Sequence, residues 1–196
     1  MKRVMVIALL AAIVGSAELG SQATRSRGAA APLPVVVFET SKGNFEMELY
    51  PAEAPKSVEH ILTLVRRNFY KGQRVHRFVA GFVVQFGDPQ TRDLTKRDRW
   101  GSQGSGRPIG AAEISPKRPH KLGAVGLAHS GDPKGADSQI YFCLSGPARY
   151  EPPNAALNGQ YAVIGQVTSG MDVVQKLREL DVIRQATVKE PGRGAK

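Results

Sequence analysis

The sequence predicts a mainly β domain, a closed antiparallel barrel of about eight strands capped by two α-helices. Three observations carry that prediction. Short apolar runs, several with period-two alternation, recur along the chain. Only two segments show helical spacing, one early and one late. Strands and helices do not alternate regularly, so a parallel doubly wound sheet is disfavoured. Closure is preferred to an open sheet because it removes exposed edges.

The elements follow in order. Val35, Val36, Val37 and Phe38 form the first strand-like run. Phe45, Met47 and Leu49 alternate with Asn44, Glu46 and Glu48, the pattern of a half-buried strand. Ser41, Lys42, Gly43 and Asn44 between them supply turn chemistry, which predicts a hairpin. Val58, Ile61, Leu62, Val65 and Phe69 then recur at helical spacing, with Pro55 suited to the first turn. Strands are expected over 75–79, 82–86, 124–128, 139–144 and 162–167. A second helix over 171–180 would bury Val173, Val174, Leu177 and Leu180, and a last strand runs over 182–188. Residues 88–121 fit neither pattern. Gly101, Gly104, Gly106, Gly110, Pro108, Pro116 and Pro119 mark a long irregular connection, expected to be a surface loop beside the functional site.

At 196 residues the chain suits one domain. Its 41% hydrophobic and 22% charged residues exclude wholesale disorder. The net charge of +10 raises the question of a nucleic-acid partner. The basic residues, however, are scattered: Lys2 and Arg3, Arg66 and Arg67, 96–99, 117–121, then Lys189, Arg193 and Lys196. None of these stretches interleaves with stacking aromatics, and one cysteine cannot build a zinc finger. No nucleic-acid partner is expected.

Residues 1–23 read as a secretory signal peptide. Lys2 and Arg3 open it, an apolar run fills 4–14, and small residues allow cleavage after 17 or 23. That run is shorter than the roughly 20 residues a membrane span needs, so no stable insertion is expected after cleavage. An uncleaved anchor is the lesser alternative. The mature protein is accordingly expected in the periplasm or secreted. Residues 24–34 read as a flexible lead-in, 35–189 as the folded domain and 190–196 as a tail. Cys143 lies in the run Ile140, Tyr141, Phe142, Cys143, Leu144 and reads as a small buried hydrophobe.

Competing chemistries find no support. The glycine-rich stretch 101–106 has neither a nucleophile elbow nor P-loop lysine spacing. The four histidines show no metal-ligand spacing. His76 reads as structural, and His60 and His120 as incidental.

Three segments together resemble the cyclophilin family. The first is the run from Val75, His76 and Arg77 through Gly81, Phe82, Val83 and Gln85 to Gly87 and Asp88. The second is Leu127, Ala128, His129 and Ser130, followed by Ser138, Gln139, Ile140, Tyr141 and Phe142. The third is Leu157, Asn158 and Gly159 through Tyr161 to Gly165. All three stand in the family's order and span nearly the whole domain. The resemblance implies an eight-stranded antiparallel barrel with a helix at each end and a peptide groove on its outer surface. It implies peptidyl-prolyl cis-trans isomerase activity without metal or cofactor, on proline-containing, unfolded or partly folded polypeptides, by a monomer that assists folding of exported proteins. By position, Arg77 is the catalytic arginine, and Phe82, Val83, Tyr141 and Leu157 line the pocket for the proline ring. Gln85 bonds substrate backbone, Ala128, His129 and Gln139 line the peptide groove, and Tyr161 closes the rim. The chain departs from the family at several of these places. Tyr161 replaces a frequent histidine, Val83 a methionine, Tyr141 a phenylalanine, His129 an asparagine and Phe86 a glycine. Ala80 replaces a proline, and Ala156 stands where many members carry a tryptophan that contacts cyclosporin.

Overall fold

Alternation along each strand sorts the side chains into two sets, and that sorting builds the fold. The computed structural model describes residues 32–144 and 153–189. The expected signal peptide, most of the lead-in and the tail lie outside the described residues. The elements are β1 (Val35–Thr40), β2 (Gly43–Leu49), α1 (Pro55–Arg66), β3 (Arg77–Val79), β4 (Val83–Phe86), β5 (Ala124–Leu127), β6 (Ile140–Cys143), β7 (Val163–Ser169), α2 (Met171–Lys176) and β8 (Ile183–Lys189). Pro34, expected in the lead-in, already joins the sheet by accepting from the Leu49 N–H at 2.8 Å.

The eight strands form one antiparallel sheet in the order β3-β4-β6-β5-β7-β2-β1-β8. It curls into a half-barrel and does not close, which corrects the closed barrel expected from the sequence. β3 and β8 remain edge strands. Between them stand a single bridge, Arg74 to Val182, and irregular bonds such as Ile183 N–H to the Gln73 carbonyl at 2.8 Å. The reason is local: β3 has only three residues, and the chain reaches it through the left-handed backbone of Asn68 and Gly72. A closing ladder would need regular extended backbone there.

The inward set fills the core. Phe38, Phe45, Phe86 and Phe142 are all buried, with Phe38 stacked on Phe45 at 5.1 Å and Phe86 on Phe142 at 5.4 Å. Phe86, unusual for its position, is thus a core residue. The outward set on β4 and β6 comprises Val83, Gln85, Tyr141 and Cys143, and these begin the site.

α1 packs Val58, Ile61, Leu62, Leu64 and Val65 against the sheet. Its first-turn N–H groups at Lys56 and Ser57 donate to the Glu113 carboxylate at 3.0 and 2.8 Å, a cap supplied by a distant loop. Phe69 lies beyond the helix end. α2 is shorter than predicted. Leu177 stays buried but has left the helix, and Leu180 is exposed with φ at 75°, contrary to expectation. The helix stops because the next turn is tied differently: Arg178 N–H donates to Asp181, and Leu180 N–H to the Val75 carbonyl.

The long connection is better anchored than its glycines suggest. Two short 3₁₀ stretches, Pro89–Arg92 and Leu94–Arg99, follow β4. The buried Asp88 carboxylate accepts from the N–H groups of Gln90, Gly101 and Gln103, tying the loop to the end of β4.

Candidate active site

β3 and β4 pair so that Arg77 faces Gln85 and Val79 faces Val83. Arg77 is exposed on the outer surface, and its guanidinium carbon lies 5.7 Å from the centroid of the Phe82 ring. No carboxylate pairs with it among the described residues. Gln85 continues outward on β4. Its amide nitrogen donates to Gln139 Oε1 at 2.8 Å, and the Gln139 amide nitrogen donates to the carbonyls of Gly101 and Gln103, each at 2.8 Å. Two carbonyls can only accept, so they fix the orientation of Gln139 and, through it, that of Gln85. The side-chain oxygen of Gln85, a residue that lines both pocket and groove, remains chemically able to accept from a peptide N–H.

A pocket of about 380 Å³ opens beside this pair, lined by Arg77, Phe82, Val83, Gln85, Ala128, His129, Tyr141, Leu157 and Tyr161. Of the sequence-predicted residues only Gln139 is missing from that lining. It belongs to a neighbouring groove of about 670 Å³, which shares Gln85, Ala128 and His129 with the pocket and is otherwise walled by the 101–108 loop, Ser130, Gly135 and Asp137.

Each wall has a local cause. Tyr141 on β6 lies across Gly126 on β5, its register partner. A Cβ on Gly126 would come within 2.2 Å of the ring carbon Cζ, so only glycine lets the ring lie there. Leu157 ends the short 3₁₀ turn Pro153–Leu157, which Asn154 ties to the Phe82 carbonyl at 3.0 Å. Tyr161 stacks on His129 at 4.3 Å and meets Tyr141 edge-on at 6.0 Å. These contacts make one aromatic rim.

Burial pushes the Cys143 thiol up to about 12, so it stays protonated and inert under the pocket floor. Burial likewise raises Tyr141, with smaller contributions from Cys143 and Tyr161. His76, packed against Gly101, is pushed down chiefly by burial.

Two histidines expected to be incidental are not. His60 on α1 bonds the Asp137 carboxylate at 2.8 Å, and Ser105 and the Arg107 N–H join it there. His120 is buried and bonds the Tyr141 hydroxyl at 2.7 Å. Sequence reasoning also missed Asp137, Gly126 and Asn158 as parts of the site's frame. Their partners, Tyr141 for Gly126, His60 for Asp137 and His120 for Asn158, lie 15, 77 and 38 residues away, and no linear spacing signals such pairs.

The sequence matches the family model described as cyclophilin type peptidyl-prolyl cis-trans isomerase/CLD over residues 35–193. It is 38% identical over 188 residues to a probable peptidyl-prolyl cis-trans isomerase of Brucella suis, covering 94% of this chain and 90% of that one. It is 33% identical over 148 residues to the peptidyl-prolyl cis-trans isomerase of Helicobacter pylori, covering 74% and 81% respectively. A crystal structure of a Cryptosporidium parvum cyclophilin type peptidyl-prolyl cis-trans isomerase aligns with a TM-score of 0.66 at 22% identity, covering 81% of this chain and 98% of that one. The match at that identity is one of fold.

Proposed function

The chain belongs to the cyclophilin-type peptidyl-prolyl cis-trans isomerase family, and we propose that it turns X-Pro bonds with Arg77 as the catalytic group, on proline-containing polypeptides outside the cytoplasm. The reaction breaks no covalent bond. An amide resists rotation through its C–N double-bond character, a barrier of roughly 18–20 kcal/mol. At mid-rotation that character is lost, and the proline nitrogen becomes pyramidal with a lone pair that accepts a hydrogen bond. The planar nitrogen hardly accepts one. A fixed guanidinium aimed at that nitrogen therefore binds the twisted state better than either ground state, which is what raises turnover.

The observation that carries this reading is that Arg77 lines one pocket together with Phe82, Val83, Tyr141 and Leu157, with Gln85 beside it. Phe82, Val83, Tyr141 and Leu157 form a niche for the proline ring. Gln85 offers an acceptor to peptide backbone, so one side of the bond is held while the other turns. Ala128, His129 and Gln139 extend the groove for neighbouring residues, and Tyr161 bounds it. Arginine suits the role because its donors form a rigid fork that stays charged at all ordinary pH.

An isomerisation assay on a short X-Pro peptide tests the assignment. Arg77→Ala should lose about 100-fold or more in kcat/KM, the scale of removing one transition-state donor, with its fold retained by circular dichroism. Turnover equal to wild type would remove Arg77 from this role. The extracytoplasmic part of the proposal rests on residues 1–23. N-terminal sequencing of protein from its own host should begin after residue 17 or 23, and an intact Met1 on a membrane-bound protein would overturn it.

A further inference from the structure

Behind the pocket wall runs a buried hydrogen-bond chain whose direction can be derived. Asn158 Oδ1 lies 2.8 Å from the backbone N of His120 and 2.9 Å from its Nδ1. A peptide N–H can only donate, so the Asn158 atom facing it is the amide oxygen. The same oxygen faces Nδ1, which must therefore carry the ring proton. In the neutral imidazole Nε2 is then a bare acceptor, and it stands 2.7 Å from the Tyr141 hydroxyl. The hydroxyl donates to it. One main-chain N–H thus sets the tautomer of a histidine that is 3% exposed, and the histidine holds the aromatic wall of the pocket from behind.

We propose that His120 is a positioning residue for isomerisation: through the Tyr141 hydroxyl it fixes the ring against which the substrate proline packs, with Asn158 setting its acceptor state. This rests on the reading of the site given above. Gly126 leaves room for the ring to lie flat, but room alone does not hold it. The rings of His120 and Tyr141 lie within 15° of parallel, with centroids 5.9 Å apart.

The anchor depends on a neutral imidazole. Protonation puts a hydrogen on Nε2, so the bond reverses and the hydroxyl hydrogen loses its acceptor. The environment favours neutrality. Burial pushes His120 down, opposed by the weaker effect of its bond to Asn158. The titratable groups around it are Tyr141 on β6, Tyr161 before β7, and Arg118 and Lys121 in its own loop. Lys121 is exposed, and the Arg118 guanidinium is taken up by the Glu53 carboxylate at 2.7 Å and by the Tyr50 ring. Among the described residues no carboxylate is placed to stabilise a charged His120.

The test is a double-mutant cycle with His120→Leu and Tyr141→Phe, read as kcat/KM on a short X-Pro peptide. With tyrosine in place, His120→Leu strands the buried hydroxyl and should cost about tenfold. With phenylalanine in place there is nothing to strand, and the same change should cost less than about twofold. Equal costs in both backgrounds, or failure to fold in both, would overturn the proposal, because His120 would then serve only the fold. Two measurements leave His120 in place. Imidazole ¹⁵N signals at pH 7 should put the proton on Nδ1, and a proton on Nε2 would overturn the proposal. Any loss of kcat/KM on acidification below about pH 6.5 should be smaller in Tyr141→Phe, and an equal loss in both proteins would overturn the proposal. Arg77→Ala in the same assay separates the two readings. If it is fully active, the site assignment fails. If it is inactive and the cycle is additive, only the His120 proposal fails.

Discussion

The pocket and the groove meet at Gln85, Ala128 and His129, yet they are built in opposite ways. The pocket is walled mainly by strand residues and their continuations, with Leu157 added from a short 3₁₀ turn and Tyr141 bonded from behind by His120. The groove is walled by a loop carrying Gly101, Gly104 and Gly106, and it is held in place by carboxylates at its base, Asp88 and Asp137. A five-membered ring has one shape, and a site for it gains from rigid, apolar walls. Residues flanking a proline vary, and a polar loop offering backbone groups accepts them without demanding a side chain. The contrast teaches where precision resides: in the sheet for the ring, in carboxylate tethers for the rest of the peptide.

That contrast can be broken on its rigid side first. Gly126→Ala puts a methyl group where the Tyr141 ring now lies, and overpacking of this kind costs about 1–3 kcal/mol. Tyr141 must swing into the pocket. Loss of kcat/KM should exceed tenfold, carried mainly by peptides in which proline binding limits turnover, while the circular dichroism spectrum is retained. Activity within twofold of wild type would show that the ring's position is not critical.

On the loop side the expected effect is smaller and of another kind. Asp137→Ala leaves His60, Ser105 and the Arg107 N–H without their shared acceptor. Stability should fall by about 2–3 kcal/mol in urea denaturation, the scale of leaving half-buried polar partners unpaired. Turnover of a short X-Pro peptide should change less than threefold, whereas KM for peptides extended beyond the proline should rise. A large loss on the short peptide would mean that pocket and groove are not separable.

Legibility in the sequence follows the same division. Every strand of the sheet could be placed to within a few residues, because alternation and apolar runs are local signals; Phe45, Met47 and Leu49 on β2 are buried as their spacing predicts. What could not be read is whatever depends on distant partners. The open seam depends on how 72–75 meets 181–183, which no local pattern encodes. The early end of α2 depends on Asp181 capturing the next turn. The pocket lining could be named because the motif segments carry it, and the structure brings those residues together. His60 and His120 looked incidental because their partners lie 77 and 21 residues away, and histidine in a loop has no periodic signature.

The least change needed to separate the two regions is one of pH. His76 and His120 are pushed below the ordinary histidine value of 6.5, chiefly by burial. In the unfolded chain both take a proton near that value, and in the folded chain they resist it. Unfolding is therefore favoured as pH falls below about 6.5, and the stability these groups contribute above it is lost down to their folded values. Asp137 behaves differently. Burial raises it, but bonds from His60, Ser105 and the Arg107 N–H outweigh that and hold it below 3.8. Its contribution persists until the pH drops under the ordinary carboxylate value, where the unfolded chain binds the proton first. The histidine contributions, His120 behind the pocket and His76 beside Gly101, should thus weaken as the pH falls below about 6.5, and the Asp137 tether only below about pH 4. The urea midpoint of the wild type should be level from pH 8 to 7 and fall modestly from 7 to 5. Its further fall below pH 4 should be reduced in Asp137→Ala. A midpoint that rises between pH 7 and 5 would mean that the buried histidines are charged in the folded protein, and the neutral acceptor behind Tyr141 would go with them.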